Sequence, residues 1–187
     1  MAFVVVYDAC VLYPNTLRDL LIRLGQARLI QAKWTDRILD EVDEALTREL
    51  DIPPAKLARL RALMNGAVRD CLITGYEPLM EGLKLPDPDD RHVLAAAVKA
   101  GAHVIVTSNL KDFPAEYLAE WEIEAKSPDD FVMDLIDLDD RVVYSCIQEI
   151  AASRRNPPGT FDDVLEQLER SGLIEATGAL RSRPVDQ

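Results

Sequence analysis

Apolar and polar positions follow two alternating periods along most of this chain. Phe3 to Tyr7 is an unbroken run of β-prone apolar residues, the pattern of a strand buried on both faces of a parallel sheet. From Asn15 to Gly25 the period lengthens: Leu17, Leu20, Leu21 and Leu24 share one helical face, and Gly25 is a natural stop. Leu29 and Ile30 predict a short strand. Thr35 then caps a helix to about Leu50, and Pro53-Pro54 opens another to about Asp70. Cys71–Thr74 reads as a short strand, and Asp87-Pro88 begins a helix that ends at Gly101. Val104–Val106 and Glu122–Ala125 supply two more strands. Strands alternating with helices predict an α/β domain whose central, mainly parallel sheet is flanked by helices.

Beyond about Phe131 the pattern is helical alone. Asp139–Ser153 reads as one helix, Asn156-Pro157-Pro158-Gly159 as a break, and Thr160–Arg170 as a second helix capped by Thr160. The chain thus divides into an α/β unit over residues 1–134 and a small C-terminal helical extension over 135–187, with a frayed tail from Arg181. There is no internal repeat and no low-complexity segment.

Composition narrows the function classes. A hydrophobic share of 48% is that of a chain able to build a core. Apolar runs stay far below the roughly 18 residues needed to span a bilayer, and the opening MAFVVVYDAC has no basic segment of the kind that starts a secretory signal. Cys10, Cys71 and Cys146 are scattered, with neither metal-ligand spacing nor a disulfide framework. These features predict a cytoplasmic protein with no membrane association. The net charge of −12 seldom suits a nucleic-acid binder, but it is unevenly spread. Residues 1–70 hold ten basic and ten acidic side chains, whereas residues 112–140 hold eleven acids against Lys126. Such a block is a solvated face or a dock for a basic partner, and it leaves room for a basic path elsewhere.

Most carboxylates are solvated surface, so the informative ones stand where a charge is disfavoured. Asp8 directly follows the first buried strand, and ligands of open α/β sheets bind at the carboxyl ends of strands. A turn or helix-cap aspartate is the plain alternative there. Glu41 falls within the stripe set by Ile38, Val42 and Ala45, with no basic residue evident on its face. An inward carboxylate is costly unless paired or bound to a cation. In Leu85-Pro86-Asp87-Pro88-Asp89-Asp90, Asp87 reads as a cap and Asp90 as facing the sheet with Val93 and Ala97. Thr107 to Phe113, leaving the strand Val104–Val106, brings Asp112 to the same sheet edge. Carboxylates converging there repel unless cations neutralise them, and oxygen donors suit Mg²⁺ or Mn²⁺ rather than zinc. Two such ions can activate water and stabilise a leaving oxygen in phosphodiester cleavage.

The strand-ending Asp8, Glu41, the DPDDRHVLAAA helix start, the VTSNLKDF strand exit and the WEIEAKSPDDF stretch together resemble a PIN domain over about residues 3–134. The resemblance extends to VapC-type ribonuclease toxins of bacterial toxin–antitoxin pairs, and residues 137–187 are similar to a helical extension of some relatives. It implies a PIN-like three-layer fold and a metal-dependent endoribonuclease using Mg²⁺ or Mn²⁺. The family's acidic quartet would carry over to Asp8, Glu41, Asp90 and Asp112, as metal ligands and catalytic groups. Asp89 is the alternative to Asp90, and Asn109 stands near the fourth position, where some relatives carry the acid. The implied partners are RNA, an antitoxin protein and a second copy of the chain.

Other residues carry less. His92 reads as a helix-surface residue and His103 as a strand entry, Cys10 has no base to activate it, and Trp34 and Trp121 read as packing. Arg18, Arg23, Arg28, Lys33 and Arg37 are equally open to phosphate contact or to plain helix surface. A haloacid-dehalogenase-like phosphatase wants a second aspartate where Cys10 stands. A response-regulator receiver wants an acidic pair that Phe3–Tyr7 does not supply. The competing class is a PIN-like scaffold that binds RNA or protein without cutting.

Overall fold

The computed structural model describes residues 3–182. Its sheet has four strands, all parallel: β1 (Val4–Tyr7), β2 (Gln31–Lys33), β3 (Val104–Val106) and β4 (Glu124–Lys126), in the spatial order β2-β1-β3-β4. Val5, Val6 and Tyr7 are fully buried, as a central strand covered on both faces requires. The order reverses between β1 and β3, so the crevice at their carboxyl ends is the switch point where open α/β sheets bind ligands.

The helices are α1 (Ala9–Leu12), α2 (Asn15–Gln26), α3 (Asp36–Leu50), α4 (Pro54–Ala67), α5 (Arg91–Ala100), α6 (Ala115–Leu118), α7 (Pro128–Ser153), α8 (Phe161–Arg170) and α9 (Ile174–Arg181). α3 begins as expected, with the Thr35 hydroxyl accepting from the Ile38 N–H at 3.0 Å, a cap that contributes about 1 kcal/mol. α5 ends at Gly101, whose φ of +60° is left-handed and suits glycine. It packs on β1 and β3 with Val93 to Ala97 all fully buried.

Several expectations move. The short strand lies at Gln31–Lys33 rather than Leu29–Ile30, and Cys71–Thr74 makes only a single bridge, Leu72 to Trp34. Asp87-Pro88 opens a 3₁₀ turn over Pro88–Asp90, and α5 proper starts at Arg91. The strand expected at Glu122–Ala125 pairs over Glu124–Lys126. The helix expected from Asp139 is the second half of α7, whose backbone breaks at Asp139 and restarts there, the Asp139 carboxylate accepting from the Val142 N–H. The division at 134/135 therefore falls inside the first half of α7. α9 was not expected, and Arg181 closes it; the rest of the tail, from residue 183, lies outside the described residues.

α8 and α9 pack on α7, and α7 and α8 pack on α2. Their buried side chains belong to the same apolar cluster as the sheet. Polar ties cross the seam: Arg154 donates to the Thr16 hydroxyl at 2.9 Å, which donates to Gln167 at 2.6 Å. Among the described residues, no helix is long and apolar enough to cross a membrane.

Candidate active site

Asp8 is the first residue beyond β1, and only 6% of it is exposed. Its Oδ1 accepts from the Ala9 N–H at 2.8 Å, capping α1, so the cap reading of this residue is correct as far as it goes. Its Oδ2 accepts from the Thr107 hydroxyl at 2.8 Å and from the Cys10 thiol at 3.3 Å. Thr107 is fully buried at the end of β3, and its oxygen in turn accepts from the Asn109 N–H at 3.0 Å. The neighbouring ends of β1 and β3 thus hold one carboxylate in a fixed orientation. Burial and the Asp8 charge push the Cys10 thiol up to about 11, so it stays protonated near neutral pH and is no nucleophile.

Asp90 is partly buried where the 3₁₀ turn meets α5. Its carboxyl is pushed up to about 6, first by burial and then by the charges of Asp8, Asp87 and Asp112, with His92 acting the other way. Three of the four expected acids therefore share one electrostatic field. Asp87 accepts from the Asp89 N–H at 2.9 Å, which is the capping role expected of it, and Asp89 is exposed. Asp112 is partly buried in the 3₁₀ turn Leu110–Asp112, and Asn109 is exposed.

Glu41 departs from its expectation. The buried stripe of α3 is Ile38, Leu39, Val42 and Leu46, so the apolar face is rotated away from Ala45 and Glu41 stands on its border with 38% of its side chain exposed. Nor does it lack basic neighbours: Arg37, one turn earlier, lies 4.0 Å away, and His92 Nε2 lies 2.7 Å from its Oε1. His92 is not a surface residue; it is 1% exposed, because α5 is covered nearly all round. The run of small apolar residues in RHVLAAAV was the signal, since a helix apolar on all sides is a buried one. Beside Glu41 a shallow groove of about 250 Å³ is lined by Ala9, Cys10, Tyr13, Ala45 and Glu49.

Of the basic residues considered for phosphate contact, Arg18 is buried and donates to the carbonyls of Leu12 and Tyr13 and to Asn15. Arg23 pairs with Asp19 and Glu149, and Lys33 donates to the Asp70 carbonyl. Arg28 and Arg37 are exposed. Trp34 packs in the core, whereas Trp121 is 38% exposed. His103 enters β3 as expected, its Nδ1 accepting from the Val4 N–H at 3.3 Å.

The donor set of the acidic site, all oxygen and mutually repelling, matches a hard divalent cation. Among the described residues, no three His, Cys, Asp or Glu side chains are already gathered into a cage for one. Asp8, Asp90 and Asp112 share a field rather than a single ligation point.

The description "VapC50 C-terminal domain" matches residues 128–182, over α7 to α9. A curated Mycobacterium tuberculosis (strain ATCC 25618 / H37Rv) protein, "Putative ribonuclease VapC50", is 44% identical over 79 residues, which is 42% of this chain and 47% of that protein. The chain thus spans about half the length of that curated relative. No solved structure matches. The PIN domain model matches residues 4–111, taking in Asp8, Glu41 and Asp90 and stopping one residue short of Asp112. Over more than half its length, including the switch-point crevice and three of its acids, the chain belongs to the PIN domain family.

Proposed function

We propose that this chain is a metal-dependent endoribonuclease, the toxin of a type II toxin–antitoxin pair, acting on cytoplasmic RNA and held in check by a protein antitoxin. The observation that carries the reading is the carboxyl ends of β1 and β3, where the Ala9 N–H and Thr107 fix the Asp8 carboxylate, and where burial together with the charges of Asp8, Asp87 and Asp112 raises the carboxyl of Asp90. The relative's printed name, a ribonuclease, supports the same activity. The second matching description, over residues 128–182, supports an extension to the nuclease unit that begins with α7 rather than at residue 135.

In this reading Asp8, Glu41, Asp90 and Asp112 hold Mg²⁺ or Mn²⁺. When bound, the ions supply an activated water and charge stabilisation for the leaving oxygen of the phosphodiester. Thr107 and the Ala9 N–H keep the Asp8 carboxylate aimed, which lowers the cost of ordering it on binding. Burial of Asp90 strengthens its pull on a cation, since a carboxylate freed of water interacts more strongly with charge.

The test is Asp8→Asn, which keeps volume but removes the charge, beside Asp40→Asn on the outer face of α3, where Asp40 pairs with Arg61. Asp8→Asn should fold, retain RNA binding and lose cleavage by orders of magnitude, while Asp40→Asn cuts nearly as wild type. A folded Asp8→Asn protein that cuts at the wild-type rate, or wild-type cleavage undiminished by excess EDTA, overturns the proposal. RNA held but never cut by the wild type would instead make the chain a scaffold.

A further inference from the structure

His92 contributes two facts that the acidic site leaves unexplained. Its Nε2 lies 2.7 Å from Glu41 Oε1, joining α5 to α3. Its Nδ1 is buried and has no hydrogen-bond partner among the described residues. An unmatched buried nitrogen is a cost that most native polar groups avoid, so its presence calls for an explanation. A leucine or methionine in this nearly closed position would remove that cost and keep the packing.

We propose that His92 is a positioning residue that fixes the Glu41 carboxylate for cation binding, an inference that rests on the reading of the acidic site given above. Asp8 is held by three donors of its own. Glu41 has a longer side chain with more torsions to freeze, it is partly exposed, and Arg37 at 4.0 Å is beyond hydrogen-bond reach. His92 is the close donor to it. In the neutral ring the proton belongs on Nε2, because only that nitrogen faces an acceptor; the charged ring carries a proton there as well. An N–H therefore points at Glu41 in either state. The buried ring is rigid, so it restricts the carboxylate to one setting, as groups bonded to metal-ligating side chains commonly do.

A purely structural tie between α3 and α5 makes a different forecast, and three variants separate the two. His92→Leu keeps the apolar packing without a donor, and His92→Gln places an amide N–H near the ring Nε2. Glu41→Gln is the reference. Each is measured for melting temperature in EDTA, for Mn²⁺ affinity by electron paramagnetic resonance, and for RNA cleavage. His92→Leu should melt at or above the wild-type temperature, bind Mn²⁺ about 10- to 100-fold more weakly, and lose kcat in step. His92→Gln should recover most of the Mn²⁺ affinity. In the Glu41→Gln background, His92→Leu should change Mn²⁺ affinity no further. Should His92→Leu not fold, His92→Met takes its place.

Wild-type Mn²⁺ affinity in His92→Leu overturns the inference, as does a loss that His92→Gln fails to recover. If wild-type Mn²⁺ binding and cleavage still depend on Asp8, the proposed function stands without it. If wild-type protein binds no Mn²⁺ through Asp8, the function reading itself fails and takes this inference with it.

Discussion

Replacing Asp90 by asparagine should stabilise the metal-free protein at neutral pH while abolishing the proposed cleavage. The carboxyl is raised from an ordinary 3.8 to about 6, with burial and the charges of Asp8, Asp87 and Asp112 as causes. At about 1.4 kcal/mol per pH unit, that shift corresponds to a native-state penalty of about 3 kcal/mol for ionised Asp90. Asp90 is only partly buried, so solvent screening lowers the usable figure to about 1–2 kcal/mol. The direction follows from proton counting. Well below pH 4, Asp90 is protonated in both folded and unfolded chains and costs nothing. Between pH 4 and 6 the unfolded chain gives up the proton while the folded chain keeps it, so stability falls as pH rises. Above 6 the full penalty is present.

Asp90→Asn never ionises and escapes that loss. In EDTA at pH 7.5 it should melt about 2–8 °C above wild type, taking roughly 2–4 °C per kcal/mol for a chain of this size. At pH 4 most of the difference should be gone. Added Mg²⁺ should raise the wild-type melting temperature more than the variant's, because the cation relieves the same repulsion. Scanning calorimetry at pH 4, 5, 6 and 7.5 measures this. A variant no more stable than wild type at pH 7.5, or equally stabilised at pH 4, would refute the account of the acidic field.

Two further outcomes concern residues away from the acidic site. Asp129 accepts from the backbone N–H groups of Ile174, Glu175 and Ala176, so Asp129→Ala should cost about 1–2 kcal/mol; calorimetry should show the melting temperature fall by a few degrees while RNA cleavage is kept. The exposed acids Glu116, Glu120, Glu122 and Glu124 share one stretch of sequence with the exposed Tyr117 and Trp121. Changing all four to glutamine should weaken binding of a basic partner protein, and more so at low salt; unchanged affinity by titration calorimetry would return this surface to the solvent.

What the sequence disclosed about the fold follows how local its causes are. β1, α2, α3 and β3 stand where the pattern puts them, because long apolar runs and nearby caps such as Thr35 decide them without help from distant residues. β2 slipped because it is a three-residue strand at the sheet edge in which only Ala32 is fully buried, so its apolar signal is weaker than that of Leu29 and Ile30 just before it. α9 was invisible for a similar reason. No side chain at its own start caps it, and the acceptor for its first N–H groups, Asp129, lies far upstream on α7. The region from Phe131 reads as helical, but its continuity with Asp139–Ser153 was hidden by the break at Asp139, which looks locally like the start of a new helix.

The acidic site divides along the same line. That the positions of Asp8 and Asp90 in the fold were legible owes to simple placement: one ends a buried strand, and the other opens a helix that packs on β1 and β3. The spacing of residues along one element fixes which side of it they occupy, but not what stands across from them. Glu41 looked unpartnered because its donor comes from α5, and His92 looked superficial because the covering of α5 is a property of the packed domain. A charge pattern read along one helix therefore overstates how isolated a carboxylate is. In this chain the correction is chemically specific, since the partner that packing supplies to Glu41 is a buried imidazole with one nitrogen engaged and the other left over. Burial of such a ring is hard to account for by packing alone, and that is why the residue least valued in the linear pattern becomes the one whose substitution best separates structural from functional roles at this site.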